Sequence, residues 1–370
     1  MPKIVCHAGT GPDDNWAYCP SFAAAILFTV LFGITTCAHI VQAVIYRKPF
    51  AMVLIMGALW ETGGYVARIL SIENQLSSGI YTAQLLLILL APLWINAYIY
   101  MLLGRMIHFF LPEGNDRVFR VRARAITRMF VAFDITAFLI QATGGTMTGP
   151  GVSASVQQTG LNIYTSGVGV QLFFLVIFVA LAIRFQRKVK HLKQYRQRLV
   201  SSRPASYTTD TEAQYQSVLL RPLPLRTDSP SPTTTPEDLD IPDLDLATPL
   251  LRLLYITLAL IILRNIYRLV EFGTGIDSPT VTHEWFAYVF DGVPMFFALL
   301  VLNVFNPGKF LQGSRSDFSE EDKARKREKR AKKERKKDDK RAEKEMKRMA
   351  KVAKRDAKNG GGGAAYEALG

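Results

Sequence analysis

Hydrophobic and polar positions are separated along this chain instead of alternating within each segment. Long apolar runs fill residues 21–305, whereas residues 313–358 are almost entirely Lys, Arg, Glu, Asp and Ala. A soluble domain mixes both characters within each helix, so that every helix has one buried face and one solvated face. The pattern therefore indicates a membrane-embedded body that carries charged appendages.

Seven of the apolar runs approach the ~20 residues that cross a hydrocarbon core of about 30 Å. Backbone groups find no water in that core, so each run is predicted to be a helix. The predicted spans are 21–45, 50–70, 80–108, 126–146, 162–184, 250–271 and 285–306. The first is not expected to be a signal peptide, because it is long, follows two aspartates and lacks a cleavage-like site. The predicted fold class is an all-α integral membrane protein with seven transmembrane helices.

Basic residues alternate from one connecting segment to the next. Lys and Arg follow the first, third and fifth predicted helices, whereas the connections 71–79, 147–161 and 272–283 contain neither. Cytosolic loops of membrane proteins carry the excess of Lys and Arg. The N-terminus is therefore predicted to lie outside and the C-terminus in the cytosol.

The same pattern divides the chain into four parts. Residues 1–20 form an extracytosolic tail, and residues 21–308 form the seven-helix membrane domain. Within that domain, residues 185–247 are predicted to be a disordered cytosolic loop, because much of this stretch is rich in Ser, Thr and Pro. Residues 309–370 form a basic, charged cytosolic tail.

The cytosolic appendages suggest lipid contacts and regulation. Residues 184–200 are predicted to be a basic helical extension of the fifth span, and 320–358 a solvated charged helix. Both are expected to contact anionic lipid, and a nucleic-acid partner is not expected. Ser229, Ser231 and Thr235 each precede a proline, so they are candidate sites for a regulatory kinase. The alternative is that this loop is only a spacer between the two flanking helices and is not a site of regulation.

The chain has three cysteines and a formal net charge of +14. Cys37 lies in the first predicted helix, where it is expected to pack as a small apolar residue. Cys6 and Cys19 both lie in the outer tail, in a compartment that permits disulfides. They either pair with each other or remain free or separately buried thiols.

Ionisable and amide residues recur inside the predicted helices at spacings of three, four or seven residues. They are Glu61 and Arg68 in helix two, Asp134 and Gln141 in helix four, Arg264, Arg268 and Glu271 in helix six, and Asp291 in helix seven. Such spacings place the polar groups of one helix on one face. Charges within membranes usually face a bundle interior or a cavity. We therefore predict an interhelical ion-pair network in the outer half of the bundle, in which Glu61 or Asp291 pairs with Arg264.

Three uses of that network remain open at this point. It can hold the helices in register, form a polar cavity for the head of an amphiphilic molecule, or relay protons or ions. Asn96 and Gln171 are expected to make interhelical hydrogen bonds. The sequence contains no metal-ligand cluster, nucleophile motif or P-loop, so no enzyme activity, metal or other cofactor is expected.

Several stretches together resemble the fungal seven-transmembrane lipid-translocating exporters, a family linked to 7-aminocholesterol resistance and sphingoid-base release. They are ETGGYVAR (61–68), LLAPLWINAYIYMLLGR (89–105), DITAFLIQATGG (134–145), GLNIYTSGVGVQ (160–171), RNIYRLVEF (264–272), HEWFAYVFDGVPM (283–295) and NPG (306–308). The resemblance implies lipid export, control of lipid asymmetry, or resistance to toxic amphiphiles. It also implies membrane lipids as partners and a location in the plasma membrane, with the vacuolar or endoplasmic reticulum membrane as the alternative.

A receptor-like sensor that regulates lipid asymmetry or a stress response is the alternative function, since seven-helix receptors share the predicted orientation. The sequence departs from the common receptor patterns. Its third helix ends in LGRMIHFF instead of an Asp-Arg-Tyr signature, and its seventh helix has no Lys for a retinal Schiff base.

Overall fold

The computed structural model describes nine stretches of the chain: 15–16, 18–47, 50–111, 117–118, 121–148, 152–201, 244–275, 278–311 and 319–359. The chain forms two compact units, Met1–Gln312 and Gly313–Gly370.

The first unit is built from helices. Its long helices are α1 (Phe22–Tyr46), α2 (Ala51–Glu73), α3 (Ser78–Phe110), α4 (Ala123–Thr146), α5 (Ala154–Ser201) and α6 (Ala247–Gly273). Shorter helices follow: α7 (Pro279–Thr282), α8 (Glu284–Ala287), a π-helical turn (Tyr288–Gly292), α9 (Val293–Val304) and α10 (Pro307–Phe310). A two-residue antiparallel pair, β1 (Arg117–Val118) with β2 (Val121–Arg122), precedes α4.

Seven helical spans of the described residues are long and apolar enough to cross a membrane. The seventh, Glu284–Phe310, combines α8, the π-helical turn, α9 and α10. The predicted seven-helix fold class is therefore confirmed. The orientation of the termini stays a prediction.

Helix α5 runs beyond the predicted fifth span, which ended at residue 184, and so confirms the predicted basic helical extension 184–200. It continues to Ser201, and a 3₁₀ turn at Leu244–Leu246 leads into α6. The disordered loop assigned to 185–247 is thus wrong for 185–201 and for 244–247, whereas 202–243 lie outside the described residues. The basic extension is helical because Lys, Arg and Gln favour helix, and because a helix already nucleated in the membrane adds residues without a new nucleus.

The membrane spans pack in chain order into a closed bundle. Each long helix contacts its neighbours in sequence, and the seventh span packs between α6 and α1. Helix α3 also contacts α5 and α6, so it lies towards the bundle centre and contributes Tyr98, Tyr100 and Ile95 to the core. Large apolar side chains also point outwards, such as Ile34 and Phe173, which are 62% and 61% exposed. This outward apolar surface is what a helix bundle presents to lipid.

Helices α4 and α5 approach unusually closely through glycine. A Cβ atom on Gly144 would lie 2.4 Å from the backbone nitrogen of Tyr164 and 2.6 Å from the carbonyl oxygen of Gly160. Small residues at such crossings let two membrane helices bring their backbones together.

Candidate functional site

The seventh span places its charged residues through an irregular stretch of helix. Asp291 lies in the π-helical turn Tyr288–Gly292, and Pro294 follows within the first turn of α9. Proline has no backbone N–H and clashes with the carbonyl four residues earlier, so a regular α-helix is disfavoured here. Single π turns inside helices are frequent at functional sites.

Asp291 lies between two arginines of α6. Its Oδ1 is 2.5 Å from Nε of Arg264, and its Oδ2 is 2.5 Å from Nη2 of Arg268. Nη1 of Arg268 also lies 2.9 Å from Oε2 of Glu271, whose other oxygen accepts a hydrogen bond from the Tyr267 hydroxyl. The four charged side chains are at most 12% exposed. We call Arg264, Arg268, Glu271 and Asp291 the arginine–carboxylate cluster.

The cluster has equal numbers of positive and negative groups but is not fully hydrogen-bonded. Nε of Arg264 and Oδ1 of Asp291 make no aligned hydrogen bond within the described residues despite their contact. Arg264 instead donates from Nη2 to the carbonyl oxygen of Ile88 at 3.4 Å. Of the two carboxylates that the sequence offered to Arg264, Asp291 is therefore the one in contact.

Glu61 lies near this cluster without joining it. Its side chain is 1% exposed, and it interacts electrostatically with Asp291, Arg264 and Arg268. The part of the chain that the structure describes shows no ion pair for Glu61, and its Oε1 has no hydrogen-bond partner there. Buried carboxylates are normally paired or hydrogen-bonded, so an unsatisfied one marks a place where a ligand group can bind.

Aromatic side chains form a wall beside Glu61. Tyr65, one turn along α2, stacks on Phe28 and Phe32 of α1 with ring centroids 5.4 Å and 5.2 Å apart. Tyr288 packs against Phe28 at 4.9 Å. A Cβ atom on Gly292 would lie 2.6 Å from the Tyr65 hydroxyl, so glycine is needed for the seventh span to pack this closely.

Arg68 belongs to a second ion pair closer to the end of α2. Its Nη2 lies 2.8 Å from Oε1 of Glu284, and it donates hydrogen bonds to the hydroxyls of Tyr288 and Tyr18 at 3.0 Å. The other oxygen of Glu284 accepts a hydrogen bond from the backbone nitrogen of Ser21 at 2.6 Å. We call the Arg68–Glu284 ion pair the outer clamp, because it ties the start of α1 to α2 and the seventh span at the end of the bundle that is predicted to face outwards.

Sequence reasoning missed Glu284, although a signal for it was present. The residue falls between the predicted loop, which ended at 283, and the predicted span, which began at 285. It lies seven residues before Asp291. The spacing of three, four or seven residues that grouped the other charges on one helix face would therefore have included it.

The polar residues of α4 face other helices than expected. Oδ2 of Asp134 accepts hydrogen bonds from Nδ2 of Asn96 at 3.0 Å and from the Tyr100 hydroxyl at 2.9 Å. Gln141 donates to Oε1 of Gln171 at 2.9 Å. Asn96 and Gln171 thus make the interhelical bonds that the sequence predicted, whereas Asp134 and Gln141 bond to α3 and α5 and do not contact the arginine–carboxylate cluster.

Asp134 resembles Glu61 in one respect. It is 1% exposed, and Oδ1 of Asp134 and Oδ1 of Asn96 have no hydrogen-bond partner among the described residues. Among the described residues, the bundle therefore contains two deeply buried carboxylates without an arginine partner, one beside the cluster and one between α3 and α4.

The N-terminal tail, which is predicted to lie outside, is described only at residues 15–16 and from residue 18 onwards. Cys37 is a free, exposed thiol, whereas Cys19 is disulfide-bonded. Cys6, its predicted partner, lies outside the described residues. Trp16, in the same tail, is 4% exposed, and its ring centroid lies 4.9 Å from the guanidinium of Arg68.

Comparison with known proteins relates this bundle to fungal membrane proteins. The chain is 38% identical to the "Probable lipid transporter atnI" of Emericella nidulans over 304 residues, which cover 81% of this chain and 69% of that protein. It is 29% identical to the "Protoporphyrin uptake protein 1" of Saccharomyces cerevisiae, with 79% and 91% of the two chains covered. It is 24% identical to the "Sphingoid long-chain base transporter RSB1" of Saccharomyces cerevisiae, with 80% and 73% covered.

No solved structure matches this chain. Residues 54–314 match the family described as "RTA1 like protein". This range contains all of the arginine–carboxylate cluster, Glu61, Asp134 and the outer clamp, and it spans more than half of the sequence. The protein therefore belongs to the RTA1-like family.

Proposed function

We propose that this protein moves an amphiphile with a cationic head, such as a sphingoid base, across the membrane and so confers resistance to toxic amphiphiles. The name of one relative, a sphingoid long-chain base transporter, supports this substrate class, and that of another, a lipid transporter, supports an amphiphilic substrate. A third relative is named a protoporphyrin uptake protein. These names describe transport or uptake and no reaction, so we propose that the chain catalyses none. We place it in the plasma membrane, where export would end.

The observation that carries the proposal is the unpaired carboxylate of Glu61. An ammonium head needs a carboxylate that no guanidinium already neutralises. Asp291 and Glu271 are in contact with arginines, whereas Glu61 is buried with an unsatisfied oxygen. If Glu61 is ionised, the cluster together with Glu61 carries one excess negative charge, which in a low-dielectric interior attracts a cation strongly.

The surroundings of Glu61 suit an organic cation better than a bare metal ion. Tyr65 lies one turn from Glu61 on α2, and its ring stacks on Phe28, Phe32 and Tyr288, so an aromatic cluster adjoins this carboxylate. A head group bound there could leave its hydrocarbon tail between the helices and the lipid. Asp134 is the second buried carboxylate that a cationic head could meet.

Passage towards the outer end requires ion pairs to exchange. At Asp291, which Arg264 and Arg268 contact at 2.5 Å, a cationic head would take the place of an arginine as the ion partner of the carboxylate. Arg68, Arg268 and Glu271 lie nearer the end of the bundle that is predicted to face outwards, where they form an exit gate in this proposal.

The test measures release of a labelled sphingoid base from cells that carry Glu61→Gln, Asp134→Asn or Asp291→Asn at matched surface expression. Glu73→Gln is the matched control, because Glu73 is an exposed carboxylate on the same helix. Glu61→Gln should slow release by about tenfold or more, since a hydrogen bond to a charged group contributes ~1.5–3 kcal/mol. If all three variants release lipid at the wild-type rate, the proposed path is wrong.

A second measurement separates a transporter from a receptor-like sensor. The purified protein is reconstituted in liposomes with labelled sphingoid base, with and without a proton gradient. Movement of lipid by the wild-type protein alone supports transport. If no lipid moves under either condition, while the protein still changes lipid release in cells, the sensor becomes the better explanation.

A further inference from the structure

The second compact unit contains one long helix, α11 (Ser319–Asn359). It lies outside the part of the chain that matches the RTA1-like family, which ends at residue 314. All side chains described in it, from residue 326 to residue 355, are exposed. Mixed charge is the obvious feature of its sequence, but the positions of the charges around the helix are not random.

Basic residues recur on α11 with the period of a helix. Lys326, Lys333, Lys340, Lys347 and Lys354 are each seven residues apart, and the positions four residues after each of the first four are also Lys or Arg. Residues three, four and seven apart lie on the same face of a helix. These positions therefore form one continuous basic stripe.

The stripe is wide and contains no other residue type. With 3.6 residues per turn, residues 326–355 place 14 side chains in an arc of about 140°, and all 14 are Lys or Arg. We call this arc the basic face. The remaining 16 positions hold all six acidic residues of this stretch, three basic residues and seven Ala, Met or Val residues.

The apolar residues lie outside the stripe, with Met346 and Met349 towards the opposite face and Val352 next to the edge of the basic face. Met346, Met349 and Val352 are 70%, 72% and 57% exposed, and they share their side of the helix with the acidic residues. The basic face thus has no apolar side chains to insert into a bilayer. Any surface that it binds must be recognised by charge alone.

We infer that the basic face of α11 lies flat on the anionic lipid head groups of the membrane that holds the rest of the chain. Each Lys or Arg near such a surface strengthens the association by about fivefold. The helix is about 10 Å across, and the Debye length is about 8 Å at physiological salt. Glu334 and Glu343 lie about 20° beyond the two edges of the basic face, whereas the four other acidic residues lie farther round the helix and are more strongly screened from the lipid phosphates.

The shape of the stripe favours a membrane over a nucleic acid. A helix of 41 residues is about 60 Å long at 1.5 Å per residue, and its stripe runs along one side as a nearly straight band. A flat leaflet can meet that whole band at once, whereas a groove of DNA turns away from a straight helix after a few turns. A tail attached to a seven-span protein also stays at high local concentration near the bilayer.

The experiment uses the full-length protein in lipid nanodiscs of phosphatidylcholine, with or without phosphatidylserine. Amide hydrogen exchange of the α11 peptides is followed by mass spectrometry. Exchange should be slower by about tenfold or more in the anionic discs, because a bound helix opens less often. Added salt should remove the difference, since the attraction is electrostatic.

Two variants that lose the same number of positive charges test whether lipid association depends on the basic face. Lys333, Lys340 and Lys347 are replaced by Gln in the first, and Arg327, Lys332 and Arg335, which lie outside the basic face, are replaced by Gln in the second. Each set removes three positive charges and one ion pair between residues four apart, Glu343–Lys347 or Glu328–Lys332. The first variant should weaken lipid association by about a hundredfold, and the second by far less.

Three results would overturn the inference. One is an equal loss of lipid association in both variants, which would show that the attraction depends on total charge and not on the basic face. Another is the same exchange rate in neutral and anionic discs. The third is displacement of α11 from anionic discs by low concentrations of double-stranded RNA or DNA, which would favour a nucleic-acid partner. None of these outcomes depends on whether the protein transports lipid.

Discussion

Replacement of Asp291 by Asn should destabilise the bundle more than any other isosteric change at its buried carboxylates. The substitution removes one negative charge that two arginines contact at 2.5 Å. Arg268 would keep Glu271 at 2.9 Å. Arg264, which is 2% exposed, would keep only a 3.4 Å hydrogen bond to the carbonyl oxygen of Ile88.

The expected loss follows from that uncompensated arginine. Removing one partner of a buried ion pair costs about 3–5 kcal/mol, because the remaining charge stays buried. Arg264→Gln should cost less, about 1–3 kcal/mol, since Asp291 would still contact Arg268. The double variant Asp291→Asn, Arg264→Gln should be less damaging than the sum of the two, by about 0.5–3 kcal/mol.

Glu61→Gln provides the control for this cycle. Glu61 is buried in the same region but makes no ion pair with the described residues. Its neutralisation should leave stability unchanged within about 0.5 kcal/mol or raise it, because an unpaired buried charge costs desolvation energy. Stability is measured as the free energy of unfolding in mixed micelles titrated with denaturing detergent, for the wild-type protein and all four variants in the same host detergent.

Two outcomes would refute this reasoning. Strictly additive losses for Asp291→Asn and Arg264→Gln would show that the two residues do not interact. Equal losses for Asp291→Asn and Glu61→Gln would show that the ion pairs seen for Asp291 do not distinguish the two carboxylates energetically.

Three further predictions concern other parts of the chain. Gly144→Ala should lower the free energy of unfolding by about 1–3 kcal/mol, because its Cβ would meet a backbone atom of α5 at 2.4 Å. Gly145→Ala should be tolerated, since its Cβ would lie 3.8 Å from its nearest neighbour. Thermal melting of both variants checks this. Cys6 and Cys19 should form a disulfide, and mass spectrometry without reduction should find them linked; alkylation of both thiols in the mature protein would contradict it. The C-terminus should be cytosolic, so a cleavable C-terminal tag should resist protease added to intact cells and be cut after permeabilisation.

The membrane spans could be predicted from sequence because their signal is local. Hydrocarbon thickness sets the length of a span, and the absence of water sets both its composition and its helical backbone. The predicted bounds of α1, 21–45, and of α2, 50–70, accordingly lie within a few residues of the observed Phe22–Tyr46 and Ala51–Glu73. The RTA1-like membership also followed from sequence, because the matching stretches run in order through the whole membrane body.

Which charges meet was decided only by the tertiary structure. Sequence and orientation estimate how deep a residue lies, but they do not tell how each helix is rotated or which helix packs beside it. Asp134 lies near the middle of α4, yet α4 packs between α3 and α5, so its partners are Asn96 and Tyr100. Arg68 likewise pairs with Glu284 instead of a carboxylate of α6.

The seventh span shows most clearly why side-chain directions could not be predicted from the sequence. Its π-helical turn changes the angular step between residues from Tyr288 to Gly292, so the regular period of 3.6 no longer gives the direction of Asp291. Two arginines of α6 converge on that carboxylate, and Glu61 is left buried beside them without an ion partner among the described residues. The sequence alone determined that charges are buried in this membrane bundle. The rotation and packing of the helices determined which carboxylates contact arginines.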